Sequence, residues 1–297
     1  MRAILFIFLF ISTLFAKETI VWMIWDLPPN FISQGPLKNK GYEDIRLKMI
    51  QDRLPQYKHE KQVMNFNRAV SIFKDKDDSQ KIYCANDMVS HESLDFDDYM
   101  SMASFPFKGQ FLVTSLDKAH LFTKSGKAVV LTDILKDENL RLVLSKNRPY
   151  LDAGIVIKDY LLNNPTQNHI TEMSTLNTGL SMFNFVLKGR ADYTLEYVFR
   201  ASYYSKLIGK PNQFFAIPIK ENDGVFYGYH SCVKTKKGKK VIQEIDEIIK
   251  ELKPTDAWIQ PFVDWMPTST IKENYIKYYK EVFLKKGDIY DNNPRSR

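Results

Sequence analysis

The chain has 297 residues, 44% of them hydrophobic and 26% charged, with 42 basic against 35 acidic side chains and a net charge of +7. That balance is ordinary for a globular protein, and the length permits one large domain or two of moderate size. The two signs are interspersed, which fits a solvated surface and leaves no concentrated patch for a nucleic acid or an anionic membrane.

Residues 1–16 form a separate object. Arg2 supplies a positive start, 3–15 is apolar except for Ser12 and Thr13, and Ala16 is a small residue before Lys17. This is the pattern of a signal peptide cleaved after Ala16; its apolar core is short for a membrane span, and an uncleaved anchor is the alternative. No cysteine follows the cut, so lipid attachment is not expected, and no later stretch is long and apolar enough to span a bilayer.

The mature chain opens with the run Ile20, Val21, Trp22, Met23, Ile24 and Trp25, which reads as a buried strand. Asp26 ends it, and Pro28 and Pro29 forbid further ladder pairing. A polar loop leads to a helix whose face is expected to carry Tyr42, Ile45, Met49 and Leu54, with Glu43 and Asp44 in its first turn and Pro55 closing it. Residues 60–64 and 81–85 read as two more strands, separated by a helix start at 69–73 that is capped by an Asn. Two strand–helix units followed by a strand imply a mostly parallel sheet. Residues 90–104 read as irregular, 110–114 as extended.

The same grammar then repeats. Residues 141–144 (RLVL) form a buried strand followed by a helix through 159–162, Ile170 marks a brief strand, and Leu176, Leu180, Phe183 and Leu187 mark an amphipathic helix ending at Gly189. Residues 189–197 (GRADYTLEY) lead into another strand, with Phe214–Ile217 and Val225–Val233 extended after it. The densest basic run, 234–240 (KTKKGKK), reads as an exposed turn before a helix. That helix has a clear face of Val241, Ile242, Ile245, Ile248, Ile249 and Leu252, and aromatic helices around 258–265 and 275–283 follow. Residues 285–297 are polar and expected to fray.

Several of these segments resemble one known layout. A first strand ending in a Pro-Pro-aromatic loop, the Gly41-Tyr42-Glu43-Asp44 helix start, the Phe105-Pro106-Phe107 segment and the Gly189-Arg190-Ala191-Asp192 turn are similar to the family 3 extracellular solute-binding proteins. The resemblance implies an α/β, two-lobed type II periplasmic binding protein architecture: two mostly parallel sheets with flanking helices, joined by a two-segment hinge. Residues 17–110 would form the first part of lobe 1, 111–228 lobe 2, and 229–297 the return part of lobe 1 with the C-terminal helices. It implies a periplasmic location, a small-molecule solute, a membrane transporter or sensor as partner, and a monomer. The chain has two cysteines, Cys84 and Cys232, a disulfide candidate in an exported protein, with two buried free thiols as the alternative. In the family's sheet order the returning strand lies beside the third strand of lobe 1, which implies a Cys84–Cys232 bond.

Enzyme signals are sparse. His59, His91, His120, His169 and His230 show no metal-ligand spacing, and there is no nucleophile elbow, phosphate-cradling loop or dinucleotide fingerprint. No metal, cofactor or catalytic residue is expected. Ligands of such sheets bind where strands end. The candidates are therefore Trp25, Asp26, Arg68 and Asn86 from lobe 1, and Ser145, Tyr150, Glu196 and Tyr197 from lobe 2, each with a local packing or capping role as its alternative. Amino-acid-binding members of the family carry an arginine shortly after the third strand to clamp the ligand carboxylate; residues 90–94 (SHESL) contain none. They also hold the ligand ammonium with an aspartate near the position of Tyr197, where this chain has Glu196. The departure argues against a simple α-amino acid, and the aromatics Trp22 or Trp25, Tyr150, Tyr193, Tyr197 and Tyr227 suit a ring-bearing or sugar-like ligand. The competing readings are a periplasmic enzyme on the same scaffold, such as a cyclic-acid dehydratase using Glu196 or Asp26 as acid or base, and a ligand-sensing subunit.

Overall fold

The computed structural model describes residues 17–289 apart from 26, 65, 76–80, 90–96, 125, 147, 149, 175–177, 211 and 212. The signal-peptide reading, Asp26 and residues 90–96 of the irregular acidic stretch lie outside these residues.

Two sheets organise the chain. In the first, β1 (Thr19–Ile24) lies between β2 (Lys58–Val63) and β3 (Lys81–Val89), all parallel. A β-branched and aromatic run suits that place, because a middle strand of a parallel sheet is covered on both faces; Ile20, Val21, Trp22 and Met23 are all buried. The long strand β11 (Val225–Val233) runs antiparallel beside β3 and carries β4 (Asp98–Met100) and β5 (Phe105–Lys108) along its other edge. Helices α1 (Tyr42–Arg53), α2 (Phe66–Lys74), α7 (Lys236–Leu252), α8 (Asp256–Val263) and α9 (Ser269–Tyr278) cover this sheet. The second sheet has the order β10 (Phe214–Ile217), β6 (Phe111–Ser115), β9 (Tyr193–Glu196), β7 (Leu142–Ser145), β8 (Ile170–Met173). It is flanked by α3 (Leu131–Leu135), α4 (Leu151–Asn163), α5 (Thr178–Leu187) and α6 (Val198–Leu207).

The chain passes from the first sheet to the second between Lys108 and Phe111, and returns from β10 to β11. The two crossings are bonded to each other. Asn222 Nδ2 donates to the Gln110 carbonyl at 2.9 Å and to Gln110 Oε1 at 3.1 Å, and Lys108 Nζ donates to the Asp223 carbonyl and carboxylate at 2.6 and 3.0 Å. Gly109 permits this closeness: a Cβ there would sit 2.5 Å from the Asn222 amide nitrogen.

Some expectations are corrected. Asn86 lies inside β3 rather than after it, and residues 98–100 of the stretch read as irregular form β4. The basic run does not precede a helix as a turn; α7 starts at Lys236, with the Thr235 hydroxyl accepting from Gly238 N at 3.0 Å. The face of α1 is also different. Tyr42, Glu43, Arg46, Leu47 and Ile50 are buried, while Ile45 and Met49 are only half-buried, because Glu43 and Arg46 neutralise each other inside the protein at 3.1 Å. Helix α6 has no counterpart in the sequence reading.

The antiparallel register of β3 and β11 sets Cys84 opposite Cys232, and the two sulfurs are bonded at 1.98 Å across 148 residues of chain. Removing the bond by Cys84→Ser with Cys232→Ser is expected to lower stability by about 2–5 kcal/mol. Urea unfolding with and without reductant checks this; an unchanged midpoint would count against the bond.

His230, also on β11, is fully buried against Trp258, and burial, reinforced by the Arg46 charge, pushes its pKa down to about 3. The unfolded chain protonates this histidine below its ordinary value of 6.5 and the folded chain does not. Stability is therefore expected to fall as pH drops from that value towards 3, by up to about 1.4 kcal/mol per pH unit from this group. Asp246, whose pKa burial raises to about 6, acts in the opposite direction. Comparing wild type with His230→Gln in urea at pH 7 and pH 5 isolates the histidine: the variant is expected to lose the steeper acid dependence.

Candidate ligand-binding cleft

The first wall of the site is the segment after β1. Trp25 is half-buried and packs on the core of the first lobe. The following loop contains a cis Pro28–Pro29 bond and folds back onto the start of α1. The Pro29 and Asn30 carbonyls accept from Tyr42 N and Glu43 N, both at 3.0 Å, and Asp44 Oδ2 accepts from Ile32 N at 3.0 Å and Gly41 N at 3.2 Å. Gly41 is required by this approach, since a Cβ would lie 2.2 Å from the Asn30 carbonyl oxygen. The Gly-Tyr-Glu-Asp start thus works as a clasp that fixes the loop at the sheet's carboxyl end.

Behind the clasp, the Arg46 guanidinium is wholly buried beside four rings, at 4.5 Å from Phe105, 5.1 Å from Trp258, 5.4 Å from Tyr42 and 5.8 Å from Phe262. Burial raises the pKa of Glu43, and Arg46 opposes it. The buried Asn86 amide acts on Glu43 in the same sense as Arg46. Arg68 is exposed on α2.

The second wall lies where β7 and β9 end. The Glu196 carboxylate is fully buried and takes a two-pronged grip from Arg148: Nη1 to Oε2 at 2.8 Å and Nη2 to Oε1 at 2.6 Å. Tyr197 N donates to Oε1 at 2.9 Å, and Arg200 Nε lies 3.4 Å from Oε2. Burial alone would raise the Glu196 pKa; Arg148 and then Arg200 outweigh it and hold the carboxyl below its ordinary range. Arg148 is flanked by the Tyr150 ring at 5.1 Å and the Tyr197 ring at 5.7 Å. The Tyr150 hydroxyl accepts from Ser145 N at 2.7 Å, tying the end of β7 to the start of α4. Ser145, Tyr150, Glu196 and Tyr197 are therefore neighbours. Arg148, which the sequence reading passed over, is the side chain that joins them. Its only signal was a lone cation in a polar loop.

Several aromatics expected at a cleft are elsewhere. Trp22 is in the core, with Nε1 donating to His59 Nδ1 at 3.1 Å. Tyr193 is buried against Phe122, and Tyr227 stacks on Phe283. Among the described residues, no group of histidine, cysteine, aspartate and glutamate side chains could hold a metal ion.

The two walls meet. Leu151, Tyr197, Val198 and Phe199 of the second lobe pack against the core of the first, with Phe199 at 5.9 Å from Tyr42 and 5.1 Å from Phe262. From the other side, Ile32 of the clasped loop packs among Phe183, Ala201, Tyr203 and Tyr204. Leu151 takes a φ of +53°, a left-handed conformation costly for a leucine and found mainly where surrounding contacts enforce it. A separate cavity of about 770 Å³ lies beside the crossing strands, between α6, β10 and α9. It is lined largely by apolar side chains such as Phe107, Phe199, Phe215 and Tyr275 and includes none of the predicted site residues.

No protein-family model and no curated protein matches the sequence. Solved structures do. A probable amino-acid ABC transporter extracellular-binding protein from Bacillus subtilis superposes with a TM-score of 0.61 at 16% identity, covering 84% of this chain and 98% of that one. An ancestral amino acid-binding protein described as a precursor of cyclohexadienyl dehydratase gives 0.60 at 15%, covering 84% and 96%. A histidine kinase sensor domain similar to periplasmic binding proteins gives 0.56 at 11%, again covering 84% and 96%.

The chain has the two-lobed type II periplasmic binding protein fold.

The Arg148–Glu196 pair stands where β7 and β9 end. Because Glu196 pairs with both Arg148 and Arg200, Glu196→Ala leaves two guanidinium groups without a carboxylate. The substitution is expected to cost about 3–5 kcal/mol of stability, read as a lowered midpoint in urea; an unchanged midpoint would mean the pair is not formed.

Proposed function

We propose that the protein is a periplasmic solute-binding protein that captures a small polar solute between its lobes, and that the solute is not a simple α-amino acid. Residues 17–110 with 229–297 act as one unit and 111–228 as the other, closing by hinge motion at the bonded crossings. The closed form is read by a membrane transporter of the ABC type. The observation that carries this reading is the meeting of the carboxyl ends of both sheets, with Ile32 set into the second lobe and Phe199 into the first. Ligands of open α/β sheets gather at such strand ends.

Trp25, Asp26, Arg68 and Asn86 on one side, and Ser145, Tyr150, Glu196 and Tyr197 on the other, are proposed to line the solute, with Arg148 added. The neighbours support transport, and the amino-acid ligands named for them are theirs. Here Glu196 already has its cations, so the ammonium site implied by the resemblance is filled from within. The sensing reading draws on the histidine kinase sensor domain, and the enzyme reading on the dehydratase precursor. A carboxyl held ionised by two guanidinium groups is a poor proton donor at neutral pH, which counts against Glu196 as the acid of the enzyme reading.

A thermal-shift screen against amino acids, organic acids, sugars and cyclic precursors tests the proposal. A compound that stabilises the protein and is recovered unchanged is the expected result; at 100-fold excess over Kd it stabilises by about 2.7 kcal/mol. Small-angle scattering is expected to show a more compact particle with that compound. Consumption of the compound would instead make the protein an enzyme.

A further inference from the structure

We infer that the solute is a small organic carboxylate without an ammonium group, held at the lobe 2 wall by Arg200 and Arg148. This rests on the binding reading proposed above and narrows it to a ligand class.

The first ground is charge. One carboxylate, Glu196, faces two guanidinium groups; Glu196 and Arg200 are buried and the Arg148 side chain is 15% exposed. The neighbouring Lys146 adds a further positive charge at the end of β7, and Asp152, in the first turn of α4, lies towards Gly224 on the return crossing. The wall is therefore cationic in excess, and low-dielectric surroundings strengthen its preference for an anion.

The second ground is unmet hydrogen bonding. Arg200 is 3% exposed; its Nη2 donates to the Tyr204 hydroxyl at 3.1 Å, but Nη1 is buried with no partner among the described residues. Buried guanidinium donors are costly to leave unpaired, and a carboxylate is their best-matched acceptor. Glu196 Oε1 accepts from Arg148 and from Tyr197 N, and Oε2 accepts from Arg148 with Arg200 Nε 3.4 Å away. A ligand ammonium approaching Glu196 would face these two cations.

The third ground is the backbone. Helices α4, α5 and α6 begin where β7, β8 and β9 end, so their partial positive ends converge on this wall. The Tyr204 hydroxyl marks how close Arg200 comes to the second of them: it would sit 2.0 Å from a Cβ on Gly179, in the first turn of α5.

The test is a panel in which each carbon skeleton appears as acid, amino acid, amide and amine, measured by isothermal titration calorimetry at constant ionic strength up to 10 mM. Acids are expected to bind at least tenfold more tightly than the matched amino acids and amides, with no binding of amines. Arg200→Gln is expected to weaken the best acid at least tenfold, while Arg200→Lys restores part of it. A purely structural role for Arg200 would lower the unfolding midpoint of both variants without changing affinity in the folded protein, and would overturn the inference. Tighter binding of an amino acid or amine would overturn it too, leaving the solute-binding reading intact. If no acid binds, the inference falls. Native mass spectrometry of solutes that co-purify then judges the solute-binding reading by itself.

Discussion

A carboxylate cannot be taken out of water alone, and both lobes are arranged around that rule. In the first, Glu43 is buried at the start of α1 and can be there only because Arg46, one turn on, is buried with it. In the second, Glu196 ends the central strand β9 and is carried by Arg148 from 48 residues away. Further down the same sheet, Asp192 repeats the arrangement. Burial would raise its pKa, yet Arg141 and Lys118 bring it down to about 2. Glu43 stands at the start of α1, Asp192 just before β9 and Glu196 at its end, where the backbone direction must be fixed for the next element to pack. The ion pairs contribute little net free energy over apolar packing, but removing either partner leaves the other stranded.

The crossings between the lobes follow a related logic. Two strands that leave one sheet for another expose backbone groups at the point of departure. Here Asn222 and Lys108 satisfy them by bonding one crossing to the other. The aromatic layer of Phe105, Phe107, Tyr197, Phe199 and Phe262 spans the same region and is continuous between the lobes. Relative motion of the lobes would have to slide or separate these rings.

How much of this could be read from the residue order depended on whether burial left a periodic trace. The run at 20–25 and the face of α7 are apolar against a polar background, so strand and helix were plain. Helix α6 leaves no periodic trace in the sequence because its residues Phe199, Arg200, Ala201, Ser202, Tyr203, Tyr204 and Ser205 are all buried. A helix enclosed on every side has no amphipathic stripe, and its polar members look like a loop. The face of α1 is hidden in the sequence for a related reason: Glu43 and Arg46 are charged, yet both lie inside the protein. At the cleft, the strand ends were legible and pointed to Ser145, Tyr150, Glu196 and Tyr197. Arg148 was not, since the partner that gives it meaning lies on another strand. The Cys84–Cys232 pairing came from a likeness of layout and could not have come from spacing.

The strand order has a bearing on how the chain can be assembled. β11 sits at the heart of the first sheet but is made only after the whole second lobe has been synthesised. Until residue 233 has emerged, β3 has an open edge and Cys84 no mate. The second lobe, contiguous in the polypeptide, is complete earlier. An emerging chain would thus hold a finished second half attached to an unfinished first one, with unpaired main-chain groups available to any chaperone that recognises extended strands.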